Sequence, residues 1–176
     1  MVDFRVKCTL EPLAVAAKLT QGDVCHMDQV LLTLGYLSMQ HTKLLEDDED
    51  RPRATSIINS IEKRWAAADQ EVFIAAVVLN PFFKTIPFAN HISLTNAGIH
   101  TLLECLWLCF FGGQNAAVAP LELDTQIADY LMGTGVWVDL QTRTQIHKNK
   151  AEQNVMSLYS IYLFLTNSIY IIEYIT

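Results

Sequence analysis

The stretch MDQVLLTLGYLSMQHTKLL, residues 27–45, decides the fold. Within it Val30, Leu34, Leu37, His41 and Leu44 recur at spacings of four, three, four and three. That is the narrow apolar seam of a helix that packs on another helix. Gly35 inside the seam costs roughly 1 kcal/mol against Ala, and it lets a neighbouring helix come close. His41 reads as a semi-buried packing residue with one hydrogen bond. The acidic run Glu46-Asp47-Asp48-Glu49-Asp50 follows and reads as a solvated loop, and Pro52 marks the break.

Upstream, Thr9-Leu10-Glu11-Pro12 predicts the start of an earlier helix. Thr9 can cap it, and Pro12 is tolerated in a first turn, where no N–H is required. Thr20-Gln21-Gly22-Asp23 ends it.

Downstream, a third helix begins near Ala54, with Ile57, Ile58, Ile61 and Trp65 inward. It continues, or restarts after Asp69, as the run at 72–79. That run is apolar all round and fits a buried helix or a buried strand; its alanines favour helix. Trp65 and this run read as the centre of the core. Asn80-Pro81 stops the run, and Phe82, Phe83, Ile86, Pro87 and Phe88 form a connector that must dock on the core. Thr95 caps the next helix, with Ile99, Leu102, Leu103, Leu106 and Phe110 inward and Gly112-Gly113 as terminator. A shorter helix follows Pro120, uses Leu123, Ile127, Tyr130 and Leu131, and ends at Gly133.

The fold class is therefore mainly α: a single helical domain over 1–140, with no internal repeat and no linker long enough to divide it. Residues 141–176 form a different tail. It is polar to residue 153, then rich in Ile, Tyr, Leu and Phe from 155, and either helix or strand fits the apolar part. A membrane span needs about 20 mainly apolar residues. Asn167, Glu173 and several hydroxyls dilute this one, so a span is disfavoured.

A chain of 176 residues, half of them hydrophobic, can bury a real core. Its formal net charge is −7. The nearest basic clusters, Arg51/Arg53 and Lys63/Arg64, make no stripe that could release counterions from phosphates, so strong nucleic-acid binding by this chain alone is not expected. Cys8, Cys25, Cys105 and Cys109 form no CxxC pair, and no secretory signal precedes them. A disulfide framework is not expected, and a reducing intracellular compartment is the default.

No complete catalytic, cofactor or metal site emerges. Cys105 and Cys109 share a helix face at i, i+4, but a structural zinc site wants four ligands. His100 lies five residues before Cys105, poorly placed to add one, so the cysteines read as two small buried hydrophobes. Cys25-His26 is adjacent in sequence, whereas a nucleophile pair is close in space. The acidic run lacks the alternating spacing and glycine of a calcium loop. Neither a P-loop, nor GxGxxG, nor GxSxG is found.

One resemblance extends this reading. Ile61-Glu62-Lys63-Arg64-Trp65, then Asp69-Gln70, Phe73-Ile74-Ala75-Ala76 and Leu79-Asn80-Pro81-Phe82-Phe83-Lys84, resemble the hAT-superfamily DNA transposases. There an aromatic-bearing helix leads into an apolar segment closed by Leu-Asp-Pro-x-x-Lys; this chain carries Asn80 where Asp is usual. Leu10-Glu11-Pro12-Leu13, Asp28-Gln29-Val30-Leu31 and the stretch 88–130 are similar as well, so the likeness covers roughly residues 10–140. These are packing motifs.

The resemblance implies a helical insertion within a ribonuclease H-like enzyme, in which three acids bind two divalent metals. It places the first two aspartates before Met1 and the last glutamate beyond the matched region, in a segment also used for dimerisation. The family's zinc finger is likewise outside. No catalytic residue carries over, and nuclear localisation follows if the chain behaves as the family does. The unrelated tail fits a truncated, element-derived gene.

The expected function is that of a non-catalytic transposase remnant keeping the helical scaffold, not an enzyme, and without a cofactor. Its partners would be a second copy of itself or another helical protein. The alternatives are a helical protein-interaction module using the 30–44 seam, and a small tail-anchored protein held by 155–176.

Overall fold

A computed structural model describes residues 2–22, 25–88, 94–112 and 118–153. Among the described residues the fold is all helical, with no strand. The helices are α1 (Val2–Thr20), α2 (Met27–Lys43), α3 (Arg51–Ala66), α4 (Gln70–Leu79), α5 (Asn96–Phe111), α6 (Leu121–Met132) and α7 (Val138–Gln153). By contacts the chain divides into two compact units, with the division after Phe73, inside α4.

In the first unit α2 packs against both α1 and α3. Ala16, Leu37 and Ile61, one from each helix, are the buried centre, with Leu13, Leu34, Tyr36 and Ile57 packed round them. Because α2 has a neighbour on two sides, it buries more than the seam: Leu31, Leu32, Ser38 and Met39 are buried with Leu37, whereas Val30, Leu34 and Leu44 are only half-buried. Gln29 Oε1 accepts the His26 N–H at 3.2 Å and so holds the entry to α2.

The beginning of α1 differs from the sequence expectation. Helix runs from Val2, so Pro12 is an interior residue and not a first-turn one. Thr9 caps nothing; its hydroxyl donates to the Arg5 carbonyl at 3.1 Å. An interior proline cannot donate to the carbonyl four residues back, at a cost of ~3 kcal/mol. Burial offsets this: Thr9, Pro12 and Ala16 lie on one face and are all buried. Likewise α3 begins at Arg51, with Pro52 in its first turn, where the missing N–H costs nothing.

Trp65 is buried, as expected, and meets Phe73 edge-on with centroids 6.2 Å apart. Gln70 Nε2 donates to the Trp65 carbonyl at 3.3 Å where α3 gives way to α4. The run at 72–79 is helical, and Ala75, Val77 and Val78 are buried, but Leu79 is exposed.

In the second unit α5 packs on α6. Thr95 caps α5, its hydroxyl accepting the Gly98 N–H at 3.2 Å. Ile99 and Leu103 are buried, whereas Phe110, expected inward, is 68% exposed and Phe111 is 74% exposed. Gly133 ends α6 at φ 69°, the left-handed cap that glycine adopts without a Cβ penalty. Helix α7 carries the chain across the 140/141 boundary drawn from composition, and the polar stretch to residue 153 is helical. The apolar stretch 155–176 lies outside the described residues. Among those described, no helix is long and apolar enough to cross a membrane.

Replacing Trp65 by Ala removes a buried indole, and stability should fall by about 3–5 kcal/mol. Chemical denaturation monitored by far-UV circular dichroism checks this; an unchanged midpoint would place Trp65 outside the core.

Candidate functional site

The stretch Leu79-Asn80-Pro81-Phe82-Phe83-Lys84 forms a hydrogen-bonded turn after α4. Asn80 Oδ1 accepts the Phe82 N–H at 2.9 Å, and the Asn80 carbonyl accepts the N–H groups of Phe83 at 3.1 Å and Lys84 at 2.9 Å. This side-chain acceptor makes the turn of the kind Asn and Asp form with their own backbone. Lys84 sits at φ 49°, the one non-glycine residue with positive φ among those described.

That conformation sends the Lys84 side chain to α6. Its Nζ donates to the Tyr130 carbonyl at 3.0 Å and lies 4.8 Å from the Tyr130 ring centroid. The carbonyl end of a helix is the negative end of its dipole, so a cation is favoured there. Tyr130 returns the contact: its hydroxyl donates to the Val78 carbonyl at 2.8 Å, near the end of α4. Trp137 meets the Tyr130 ring edge-on at 5.1 Å. Burial lowers the Lys84 pKa and pushes the Tyr130 hydroxyl up to about 12. These side chains satisfy backbone carbonyls and carry no nucleophile–base geometry.

His41 is fully buried, not semi-buried. Its Nδ1 lies 2.8 Å from the Leu37 carbonyl and its Nε2 3.3 Å from the Thr9 carbonyl, so the ring ties α2 to α1. Cys25 and His26 touch only through Cys25 Sγ and the His26 carbonyl, at 3.8 Å.

The acidic run is more tied down than a solvated loop. Arg5 on α1 pairs with Asp47 and Glu49, Arg51 with Asp48, and Arg53 with Asp50. Asp47 Oδ1 accepts the Glu49 N–H at 2.9 Å, and Arg51 Nε donates to the Leu45 carbonyl at 3.0 Å. Residues 46–49 are exposed as expected, but Asp50 is buried. With Arg5, Cys8, Lys43 and Leu44 the run lines an open depression whose carboxylates are largely neutralised.

Cys105 and Cys109 are both exposed, which corrects their reading as small buried hydrophobes. Helix α5 buries the face of Ile99 and Leu103, and the cysteines fall on the other side. His100 turns to a different set. Its Nε2 lies 2.7 Å from Asp124 Oδ1 on α6, and its Nδ1 lies 3.5 Å from Glu104 Oε2, one turn along α5. Among the described residues this is the one group of three His, Cys, Asp or Glu side chains gathered closely enough to hold an ion. The i, i+4 spacing of His100 and Glu104 is present in the sequence. Asp124, twenty-four positions on from His100, joins them only when α6 folds back. Set against known proteins, the chain matches no protein-family model, no curated protein and no solved structure.

The Tyr130 shift makes stability depend on pH. An unfolded tyrosine ionises near 10.0, but the folded one holds its proton to about 12. Its contribution is therefore complete below pH 10.0, shrinks as pH rises and is gone above about 12. The lowered pKa of Lys84 acts with the opposite sign. Comparison with Tyr130→Phe isolates the tyrosine: the stability gap between the two proteins should narrow from about pH 9 upward. Denaturant melts across that range check it; a constant gap would refute the assignment.

Proposed function

We propose that the chain is a non-catalytic remnant of a hAT-type DNA transposase, keeping a helical scaffold whose parent function is DNA transposition. One observation carries the reading: the residues that bear the resemblance are used for packing. Trp65 and Phe83 are buried, Asn80 shapes the turn after α4, and Lys84 clasps the end of α6. Packing residues of this kind belong to a scaffold, whereas two-metal cutting and joining of DNA needs several carboxylates converging on one sheltered site. The dense carboxylates of this chain, at 46–50, face Arg5, Arg51 and Arg53 instead. On this reading the protein is nuclear.

A helical protein-interaction module is the second reading, with one observation in its favour. The second unit leaves Phe110, Phe111, Leu121, Met132 and Val136 each more than two-thirds exposed. The 30–44 seam does not serve, because Leu37 and His41 are buried within the first unit.

The purified chain should neither nick supercoiled DNA nor transfer strands with magnesium or manganese. Its retention of DNA should vanish at modest salt, because the net charge repels phosphate. Metal-dependent cleavage that is lost when residues 46–50 are changed to their amides would contradict the reading. Genomic DNA on both sides of the reading frame tests the ancestry: transposase-like remains are expected, and their absence from both sides would count against it.

A further inference from the structure

We propose that His100 and Glu104 bind one divalent transition-metal ion, with Asp124 orienting the histidine. The 2.7 Å contact between His100 Nε2 and Asp124 Oδ1 is the length of a charge-assisted hydrogen bond donated by Nε2–H to the carboxylate. With that hydrogen on Nε2, a neutral ring presents the Nδ1 electron pair. Nδ1 faces Glu104 Oε2 across 3.5 Å. A proton shared in that gap would draw the pair to about 2.7–2.9 Å. Two bonds of about 2.0–2.1 Å meeting at a tetrahedral metal instead span roughly 3.3–3.4 Å, close to the separation found.

The arrangement is that of a carboxylate–histidine–metal line. A carboxylate on the far ring nitrogen fixes the tautomer and raises the basicity of the ligating one. The helix supplies the geometry, because i and i+4 side chains lie one above the other on the same face. His100 and Glu104 are 22% and 32% exposed, so the remaining coordination positions open to water. One imidazole and one carboxylate suit zinc, cobalt, nickel or copper better than magnesium or calcium, which take oxygen ligands alone. Both ligands stand on α5, and Asp124 on α6 meets the ion only through the His100 ring.

Zinc titration of the full chain tests the site. Cys105 and Cys109 are exposed on the same helix and thiols take up zinc, so the reference protein is the Cys105→Ser/Cys109→Ser variant. It should take up one equivalent, observed by calorimetry. His100→Gln and Glu104→Gln should each weaken uptake at least tenfold, and Asp124→Asn about tenfold, as loss of an orienting partner does. Circular dichroism establishes that each variant folds. Nitrogen shifts of the His100 ring provide a reading that needs no ligand variant: zinc should move Nδ1 and leave Nε2 protonated. No uptake by the reference protein, unchanged uptake by His100→Gln, or ligation through Nε2 would each overturn the proposal.

Discussion

The first unit depends on a buried polar ring. His41 has no exposed surface, and a polar group placed there must find partners or carry the full penalty of leaving water. Its ring nitrogens face the Leu37 carbonyl one turn back on α2 and the Thr9 carbonyl on α1, and a neutral ring donates to one of the two. Apolar contacts between two helices tolerate sliding, but a directed contact to one carbonyl does not. His41 sits between a carbonyl of α2 and one of α1, beside the core in which Leu13 and Ala16 pack with Leu37 and Ile61. The same constraint accounts for Pro12, because α1 must pass straight through it to bring Thr9 and Ala16 to one buried face.

The second unit solves the same problem with different groups. Helix ends leave carbonyls without intrahelical donors. Near the end of α4 the Val78 carbonyl takes the Tyr130 hydroxyl, and near the end of α6 the Tyr130 carbonyl takes Lys84 Nζ. Lys84 reaches it from a left-handed backbone, a conformation that a non-glycine residue adopts only when its surroundings enforce it. The turn from Asn80 to Lys84 is, in physical terms, a device for closing two helix ends onto each other. A scaffold needs such a device whether or not chemistry is performed elsewhere.

What the sequence revealed, and what it hid, divides by range. Periodicity and caps are local, and they located α2, the Thr95 cap, the Gly133 terminus and the helical state of the run at 72–79. The start of α1 is not legible locally, because Pro12 after Thr9 is a strong start signal that tertiary burial overrides. Phe110 and Leu79 were placed inward because apolar character alone does not say which side of a helix meets a neighbour. Cys105 and Cys109 were misplaced for the same reason. At the His100 cluster the i, i+4 pair was visible in principle, but Asp124 comes from another helix and no local signal points to it.

Each unit packs around a buried polar anchor, so α2 in the first and Ala75 to Val78 in the second should be the most protected segments. Native-state amide hydrogen exchange measures this residue by residue. The account requires the amides of Leu31 to His41 and of Ala75 to Val78 to exchange last, at rates near that of global unfolding. If those amides exchanged as fast as the exposed end of α5, the anchors would not be holding the fold.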